Sequence, residues 1–475
     1  MNPTPSLIGA FLDTAQAYPE RLFLDGEQQF TYRSAAEQIT KLAQQFRIAA
    51  AGSPLVIHGL NTPTWVLSFL AARAAGLVVI PLSPEATTEQ WREFGELVGP
   101  FYLFDATQGN GELVNMQGKR RHFPDRVGFC LPTSGSTGVP RLALRSDMSL
   151  LSEGQRYVNG FGFALTDCIL VVLPLCHAFV LGLALGGALV SGCTLYLTPR
   201  FIPRVTQRLL REGKGSILPL VPATARLLCE VFHDDGPAPQ GVRHIIIGAG
   251  PVSPELEHHV IDRLGRVPAR NYGSSETGAT LGTNGQVVPN GVTGVALPGV
   301  EAAIMGEERS GSLFVRMGAP FLGYLSLDHI DASRVSPDGW YSTGDFATQD
   351  AEGWITITGR LGDGLRRGGR FIQPAEVERA VKSHPSVTDV VIVGRRDEHG
   401  EDIIEAHIET GTDVPIPIDA LRQHAAQFLE HYKLPTVWYF HERFPRTSGG
   451  KPDRSRLKAW DIFHTPVEPT NPGEA

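Results

Sequence analysis

Cysteine is scarce in this sequence and is not arranged for metal binding. The 475 residues include five cysteines, and no two of them form a C-x-x-C pair. This number and spacing favour a reduced, cytoplasmic compartment and argue against a structural zinc site. The five are Cys130, Cys168, Cys176, Cys193 and Cys229.

Positive charge is also in deficit. Lys and Arg number 42 against 50 Asp and Glu, so the formal net charge is −8. A chain without a basic surplus is not expected to bind nucleic acid. The first residues lack the basic region of a secretory signal and carry Asp13 and Glu20, so no signal peptide is expected.

One long segment lacks charge altogether. No Asp, Glu, Lys or Arg occurs in residues 168–199, a length that could span a membrane. Pro174, His177 and several glycines interrupt the segment. We therefore predict a buried strand, a loop, a buried helix and another strand, with no membrane span.

Most of the chain alternates between strand-like and helical patterns up to about residue 285. Such alternation predicts βαβ units and parallel sheets covered on both faces. The predicted strands include 53–59, 77–82, 216–222 and 243–250, and the predicted helices include 63–76, 203–213 and 254–265. Short alternating segments at 301–305, 311–317 and 354–359 then predict an antiparallel β module.

A second domain is predicted after a Gly- and Arg-rich stretch, LGDGLRRGGR, at 361–370. A compact α+β pattern follows it, with helices at 374–383 and 418–429 and strands at 389–394 and 402–409. The predicted fold class is α/β. A large N-terminal domain over 1–360 has two parallel-rich α/β sheets and the β module, and a small mobile α+β domain covers 361–475.

The first motif with chemical content is LPTSGSTGVPR at 131–141, directly after an apolar strand. Its hydroxyls and turn-forming glycines suit a polyphosphate, although the Walker pattern is absent. Taken alone, the motif also fits a Ser/Gly-rich linker. The candidate phosphate-binding residues are Thr133, Ser134, Gly135, Ser136, Thr137 and Gly138.

Two further motifs carry carboxylates. In NYGSSETG (271–278), Glu276 offers a hard oxygen ligand for Mg²⁺ next to the hydroxyls of Ser274 and Ser275. In WYSTGD (340–345), Asp345 could accept two ribose hydroxyls. Each motif on its own also fits an ordinary turn.

Two basic motifs lie near the end of the chain. Arg360, at the start of the glycine-rich stretch, could bind ribose or phosphate. Lys451 follows two glycines in FPRTSGGKPDRSRL (444–457), and its amine suits a developing phosphate anion. Taken alone, either motif also fits a solvated basic loop.

In this order, the motifs TSGSTGVP, YGSSE, STGD, GR and PRTSGGK resemble those of the acyl-adenylate-forming superfamily. That superfamily contains acyl-CoA synthetases, nonribosomal adenylation domains and firefly luciferase. The resemblance covers about residues 20–460. It implies an enzyme that uses ATP and Mg²⁺ to convert a carboxylic acid to acyl-AMP, releases pyrophosphate and passes the acyl group to the thiol of CoA or a phosphopantetheinyl carrier protein.

The resemblance also implies a role for each motif. Residues 133–138 would cradle the β- and γ-phosphates, Ser275 would contact the α-phosphate, and Glu276 would hold Mg²⁺. Asp345 would take the ribose hydroxyls with support from Arg360. Lys451 would bridge the attacking carboxylate and the α-phosphate. The remaining implied nucleotide-site residues are Arg141, Gly248, Ala249, Gly250, Asn271, Tyr272, Gly273 and Ser274.

The segment LPLCHAFVLG (173–182) resembles the acid-pocket region of the family. His177 would be its gate and, with Lys451 and Glu276, a catalytic residue; the alternative is a buried core histidine. Amino-acid-activating members place an Asp here, and 168–199 has none, which disfavours α-amino acids. The pocket wall expected for an aryl or aliphatic acid consists of His177, Ala178, Phe179, Val221, Pro222 and Gly250.

Three residues depart from the family pattern. Arg141 replaces a usual Lys, Asp147 stands where His is often found, and Gly362 occupies a hinge position that is usually Asp or Lys. We expect altered closure of the phosphate loop from the first. The second puts any gating role at that position in doubt. The third predicts a small domain that rotates freely.

Several alternatives stay open from the sequence. The acceptor could be CoA or a stand-alone carrier protein, and Arg366, Arg367 and Arg370 could meet a pantetheine phosphate. An amide synthetase or a non-catalytic family member is the alternative function. We expect a specialised biosynthetic enzyme of secondary metabolism that is a monomer or a homodimer.

Overall fold

The structure is a computed structural model, and it describes most of the chain. The described residues are 6–86, 94–99, 101–106, 113–116, 123–133, 141–232, 238–307, 309–325, 329–360, 364–367, 370–372, 374–396, 402–410, 417–446 and 452–460. Of the predicted site residues, Ser134, Gly135, Ser136, Thr137, Gly138, Gly362 and Lys451 lie outside these ranges.

The strands of the described residues are numbered in chain order. They are Leu22–Asp25 (β1), Phe30–Thr31 (β2), Pro54–His58 (β3), Val78–Leu82 (β4), Phe101–Asp105 (β5), Leu113–Met116 (β6), Phe129–Thr133 (β7), Arg141–Arg145 (β8), Cys168–Val171 (β9), Thr194–Leu197 (β10), Ile217–Leu220 (β11), His244–Gly248 (β12), Ala269–Ser274 (β13), Gly278–Gly282 (β14), Val295–Ala296 (β15), Val300–Glu307 (β16), Ser310–Met317 (β17), Tyr324–Leu325 (β18), Ile330–Asp331 (β19), Trp340–Gln349 (β20), Ile355–Arg360 (β21), Leu365–Arg367 (β22), Arg370–Ile372 (β23), Asp389–Arg396 (β24), Asp402–Glu409 (β25) and Val437–His441 (β26).

The helices are numbered in the same way. They are Leu7–Ala17 (α1), Tyr32–Phe46 (α2), Pro63–Ala74 (α3), Asp147–Phe161 (α4), Ala178–Val180 (α5), Gly187–Ser191 (α6), Pro203–Arg211 (α7), Pro222–Val231 (α8), Pro254–Leu264 (α9), Pro374–Lys382 (α10), Ile418–Ala425 (α11) and Arg454–Lys458 (α12). A π-helical turn, Leu181–Gly186, joins α5 to α6, and His431–Lys433 is a 3₁₀ turn.

Two large sheets carry the N-terminal part of the chain. One has nine strands in the order β15-β14-β13-β12-β11-β9-β10-β1-β2, and its central strands are parallel. The other has eight strands in the order β19-β18-β8-β7-β4-β3-β5-β6, with β4 and β5 parallel to β3. A four-stranded sheet, β16-β17-β20-β21, follows. The predicted parallel-rich α/β fold is confirmed.

Local signals explain why these elements begin and end where they do. The central strand β12 contains three buried isoleucines, as expected for a strand covered on both faces. Helix α9 begins after Ser253, whose Oγ accepts a hydrogen bond from the Leu256 N–H at 3.2 Å, and Pro254 occupies its first turn. It ends at Gly265, which has the left-handed φ of 70° that helix ends favour.

The charge-free segment 168–199 folds as the sequence predicted. Strand β9 and strand β10 are parallel neighbours, and the helical residues 178–191 lie between them in sequence. The π-helical turn within that helix was not predicted. Among the residues that the structure describes, none of the helices combines the length and apolarity that crossing a bilayer demands.

The contacts between Cα atoms divide the chain into two units. The first comprises Met1–Ala303, Phe314–Ser342 and Asp350–Thr356, and the second comprises Ile304–Leu313, Thr343–Gln349 and Ile357–Ala475. The second unit thus takes in two segments that precede residue 360. The domain boundary between residues 360 and 361 stays a prediction.

The second unit is built around a three-stranded sheet. Strand β25 pairs antiparallel with β24 and parallel with β26. Its core includes Ile392, Ile404, Trp438 and residues of both neighbouring helices. Helix α11 is shorter than the predicted 418–429, because beyond Ala425 the backbone tightens to i→i+3 bonds such as Phe428 N–H to the Ala425 carbonyl.

Candidate active site

Glu276 lies in a tight turn between two antiparallel strands of the nine-stranded sheet. Strand β13 ends at Ser274 and β14 begins at Gly278. The hydroxyls of Ser274 and Thr277 are 3.1 Å apart, and the Ser274 Oγ accepts a hydrogen bond from the Thr277 N–H at 3.3 Å. We call residues 274–279 the Glu276 turn. The turn contains Glu276, Ser274 and Ser275, and the role of these residues at a Mg²⁺ and phosphate site stays a prediction.

A tyrosine holds the Glu276 carboxylate. The Tyr324 hydroxyl donates a 2.5 Å hydrogen bond to Glu276 Oε1. The Arg141 guanidinium stacks over the same ring, with its central carbon 4.7 Å from the ring centroid. Burial and the negative charge of Glu276 hold the pKa of Tyr324 far above its usual value, so the hydroxyl is a permanent donor.

Together with Arg334, Tyr341 belongs to the polar cluster around Glu276. Its hydroxyl is 3.4 Å from that of Tyr324, and burial together with Glu276 raises its pKa to about 12. Within the described residues, Glu276 Oε2 accepts no hydrogen bond. A carboxylate oxygen that is not engaged by protein donors fits a hard cation such as Mg²⁺.

The described residues contain no group of three or more His, Cys, Asp or Glu side chains that could hold a metal ion. Mg²⁺ is commonly bound through one or two carboxylates, with phosphate oxygens and water completing its shell. The donor set of the Glu276 turn therefore fits Mg²⁺ bound together with a nucleotide.

The ends of the predicted phosphate loop are paired in a hairpin. Strands β7 and β8 are antiparallel, and Thr133 pairs with Arg141. The Thr133 hydroxyl donates to the Arg141 carbonyl at 3.2 Å. Residues 134–140 of the loop lie outside the described residues, whereas its two ends are fixed at the edge of the hairpin.

Buried charged side chains form hydrogen bonds with the backbone of the Glu276 turn. Arg145 Nη1 donates to the Ser275 carbonyl at 3.0 Å, and Arg156 Nη2 donates to the Thr277 carbonyl at 2.9 Å. Glu153 Oε1 accepts from the Ala279 N–H at 3.0 Å. Three backbone groups on both sides of Glu276 are therefore fixed by side chains of β8 and α4.

The predicted residues before Glu276 are also fixed. The Tyr157 hydroxyl donates to the buried Asn271 Oδ1 at 3.2 Å. Gly273 has no room for a side chain, because a Cβ there would lie 2.2 Å from the Gly278 carbonyl oxygen. Tyr272, the third predicted residue of this strand, is partly buried and pairs with Leu281 of β14.

The turn 248–250 contacts two predicted pocket residues. Ala249 has a φ of 58°, a strained conformation for a residue with a Cβ. A Cβ on Gly248 would meet the Phe179 ring at 2.9 Å, and one on Gly250 would meet Pro222 at 3.1 Å. The structure thus brings the acid-pocket and nucleotide-site predictions together at one backbone turn.

His177 stands at the exposed start of α5, next to Ala178. Asn61 fixes the preceding segment, since its Nδ2 donates to the Leu173 carbonyl and its Oδ1 accepts from the Leu175 N–H, both at 2.9 Å. The side chain of His177 is exposed, and its role as a gate stays a prediction. Partial desolvation lowers the pKa of His177, which favours the neutral form of the ring.

Asp147 has a structural explanation rather than a gating one. It is the first residue of α4, and its carboxylate accepts hydrogen bonds from Arg73 Nε at 2.7 Å and Nη2 at 3.3 Å. An acidic group at a helix N-terminus is stabilising. Gly128 faces it so closely that a Cβ would lie 2.2 Å from Asp147 Oδ1.

In the second unit the two predicted ribose residues form an ion pair. Arg360 Nε lies 3.2 Å from Asp345 Oδ1. The Asp345 carboxylate is buried, whereas the Arg360 side chain is 72% exposed and can move to a ligand. The Thr343 Oγ1 accepts from the Asp345 N–H at 3.0 Å and fixes its backbone.

Lys451 lies outside the described residues, but both flanks of its loop are anchored. Arg446 Nη2 donates to Glu409 at 3.2 Å, and Arg454 Nη2 donates to Glu378 at 2.5 Å. A β-bridge joins Arg446 to Pro452. Of the arginines proposed for an acceptor, Arg367 donates to the Leu434 carbonyl at 3.3 Å.

Sequence reasoning missed the residues that support the site. Tyr324, Arg145 and Glu153 were not singled out, because they lie outside the motifs and approach the Glu276 turn only in the fold. Asn61 was missed for the same reason. One available signal was the placement of Arg145 and Glu153 beside apolar residues, which is unusual for charges on a solvated face.

The fold and the predicted site are those of an adenylate-forming enzyme. The features that agree with this class are the two parallel-rich sheets, the Glu276 turn and the small α+β unit. The chain matches the family model "AMP-binding enzyme" over residues 11–122 and 119–325. It also matches "AMP-binding enzyme C-terminal domain" over residues 376–451. The chain belongs to the AMP-binding enzyme family, which confirms the predicted superfamily.

Named relatives support the same class. Indoleacetate–CoA ligase of Aromatoleum aromaticum is 30% identical, over 92% of this chain and 93% of that protein. 4-Coumarate–CoA ligase 4 of Arabidopsis thaliana is 26% identical, and the match spans 69% of this chain and 60% of that protein. O-Succinylbenzoate coenzyme A synthetase from Bacillus subtilis, solved with ATP and magnesium, has a similar fold, with a TM-score of 0.80, 21% identity and coverage of 94% and 99%.

The predicted class of enzyme is therefore confirmed. The protein is an ATP-dependent acid–thiol ligase that works through an acyl-adenylate. The relatives favour this function over an amide synthetase or a non-catalytic family member.

Proposed function

We propose that the protein activates an aryl or aliphatic carboxylic acid with ATP and Mg²⁺ and transfers the acyl group to CoA. The observation that carries this proposal is the Glu276 turn, in which Tyr324 holds the Glu276 carboxylate and Arg145 holds the Ser275 carbonyl. Two of the relatives named above are called CoA ligases, and the third is called a coenzyme A synthetase. These names support CoA over a carrier protein as the acceptor.

The surroundings of the 248–250 turn support an apolar acid. Phe179 and Pro222 pack directly on its backbone. No Asp or Glu is present in 168–199 to hold an α-ammonium group. Indoleacetate and 4-coumarate, which appear in the relatives' names, are aromatic acids. This supports an aryl acid over an aliphatic acid as the substrate.

Different residues of this chain are proposed to bind different parts of the substrates. A carboxylic acid is already ionised at pH 7, so the adenylation step needs no general base. Mg²⁺, when bound, neutralises phosphate charge, and Glu276 would hold it. Ser275 and Lys451 orient and stabilise the charge that spreads over the α-phosphate oxygens, while Asp345 and Arg360 hold the ribose.

The remaining assignments are part of the same proposal. We assign the roles of residues 133–138, the gate role of His177 and the hinge role of Gly362 by resemblance. We propose a cytoplasmic enzyme of secondary metabolism, monomeric or homodimeric, with a mobile small domain over 361–475.

Pyrophosphate release over a panel of benzoates, cinnamates, arylacetates, fatty acids and amino acids tests the proposal. Each acid is assayed with ATP and Mg²⁺, with and without CoA. Turnover of an aryl or fatty acid that requires CoA is expected. Adenylation that CoA does not accelerate would instead indicate a carrier-protein or amine acceptor, and activity with amino acids alone would contradict the proposed acid class.

Lys451 provides a matched pair of variants for that assay. Replacing Lys451 with Ala removes the cation assigned to the α-phosphate, and we expect a loss of adenylation of at least about a hundredfold. Lys382→Ala removes an exposed lysine of the same unit that pairs with Asp389, and should leave activity unchanged. Equal rates for the two variants would refute the role of Lys451.

A further inference from the structure

A fully buried ion pair lies beneath the Glu276 turn. Arg145 Nη2 and Glu153 Oε2 are 3.1 Å apart, and their side chains are 2% and 1% exposed. Removing two charges from water is costly, and a buried pair often adds nothing to stability over apolar residues of similar size. Stability alone therefore does not explain why two charges are buried at this place.

The pair contacts the backbone on both sides of Glu276. Arg145 donates to the Ser275 carbonyl, and Glu153 accepts from the Ala279 N–H. Two further donors of Arg145 are satisfied by Ser149, with Nε to its Oγ at 2.9 Å and Nη2 to its carbonyl at 3.3 Å. The guanidinium thus has a fixed orientation, which it imposes on the turn.

The Glu153 carboxylate also touches the segment that follows His177. A Cβ on Gly182 would lie 2.0 Å from Glu153 Oε1, and a Cβ on Gly278 would lie 2.0 Å from Glu153 Oε2. The carboxylate is therefore held between the π-helical turn Leu181–Gly186 and the Glu276 turn. Gly154, one residue further along α4, approaches the Gly186 carbonyl closely enough that a Cβ would lie 2.1 Å from it.

The π-helical turn strengthens the link to function. Single π-helical turns are rare and occur frequently at functional sites. This one is fully buried and begins four residues after His177. Because the backbone of α4 and that of the turn are in contact, neither can shift without moving the Glu153 carboxylate.

We propose that Arg145 and Glu153 are positioning residues that couple the acid-side segment after His177 to the Glu276 turn. In this arrangement the Glu153 carboxylate contacts both segments, and Arg145 fixes its orientation. The inference rests on the proposed function of the Glu276 turn in holding nucleotide and Mg²⁺. Its consequence is that a change on the acid side alters nucleotide binding through Glu153.

The test separates positioning from stability with a paired variant. Glu153→Gln leaves Arg145 buried without a counter-charge, so both the unfolding temperature and activity should fall. The double variant Arg145→Met, Glu153→Leu removes both charges and should recover the unfolding temperature. We expect the double variant to keep a loss of at least about tenfold in MgATP affinity by calorimetry and in kcat/KM.

A second variant probes the coupling from the acid side. Gly182→Ala adds a methyl group that must displace the Glu153 carboxylate while leaving every nucleotide-site residue unchanged. MgATP affinity, measured without any acid, should fall at least about fivefold. If the double variant fails to fold, Arg145→Lys replaces it in the MgATP affinity measurement. This substitution retains the charge but not the fork that reaches both Ser275 and Glu153.

The matched control is the ion pair between Arg243 and Asp167, which lies in the same unit and, among the described residues, does not contact the Glu276 turn. Arg243→Met should lower the unfolding temperature and leave MgATP affinity within about twofold. Recovery of both stability and MgATP affinity in the double variant, or unchanged affinity in Gly182→Ala, would overturn the proposal. Silence of the wild type across the acid panel, with MgATP binding intact, would refute the proposed function instead.

Discussion

Tyr324→Phe removes a single hydroxyl from the structure and leaves the ring in place. The ring can still stack beneath the Arg141 guanidinium, whose central carbon lies 4.7 Å from the ring centroid. What is lost is the 2.5 Å hydrogen bond to Glu276 Oε1 and the 3.4 Å contact with the Tyr341 hydroxyl. The substitution therefore tests the orientation of the carboxylate separately from the packing around it.

The magnitude follows from the charge on Glu276. Hydrogen bonds to ionised groups contribute about 1.5–3 kcal/mol, roughly twice those between neutral groups. The raised pKa of Tyr324, caused by burial and by Glu276, means that the hydroxyl donates at every pH of interest. If that energy is used in the transition state, kcat/KM should fall by about tenfold to a hundredfold.

The assay is pyrophosphate release as a function of Mg²⁺ and ATP concentration, and the Mg²⁺ requirement should increase in the variant. Tyr32→Phe is the control, since it deletes a buried hydroxyl that donates to the Cys193 carbonyl at 3.2 Å away from the site. It should cost about 1 kcal/mol of stability and no activity. A Tyr324→Phe enzyme with unchanged kcat/KM and Mg²⁺ dependence would refute the reasoning.

Three other predictions use different features. Arg141→Lys restores the residue usual in the family but loses planar stacking on Tyr324, so the KM for ATP should rise a few-fold; an unchanged KM would contradict the stacking role. Gly362→Pro should spare acyl-AMP formation and slow thioester formation, measured as separate half-reactions; equal losses would count against a hinge. Burial, and secondarily His441, lowers the pKa of His407 to about 3, so the unfolded state alone gains a proton below about pH 6.5, which should cost about 2 kcal/mol by pH 5. His407→Gln should abolish that part of the acid sensitivity in thermal unfolding; an unchanged pH profile would exclude it.

Much of the scaffold could be predicted because its signals are local. The strand at 244–248 and the helix at 254–264 lie within two residues of the predicted limits, since Ser253, Pro254 and Gly265 mark the helix ends. The charge-free segment 168–199 was recognised as buried because its proline and glycines exclude one continuous span. Helix α11 was overextended, because an apolar pattern continues after the helical hydrogen bonds have changed.

The site could be predicted only where its residues are contiguous. The turn that carries Glu276 and the flanks of the loop before Lys451 follow from short motifs. Tyr324 lies 48 residues beyond Glu276, and Arg145 lies 130 residues before Ser275, so no spacing rule connects them. Asp147 was recognised as a departure, but its pairing with Arg73 could not be read from the sequence.

The sequence by itself determined the family, the α/β class and the order of the motifs, since backbone propensity and short motifs act over a few residues. Only the tertiary structure decided what supports them. A buried charge is tolerated when distant partners converge on it, as Arg145 and Glu153 do beneath the Glu276 turn. Contacts between residues that are distant in sequence form only when the sheets and helices pack against each other.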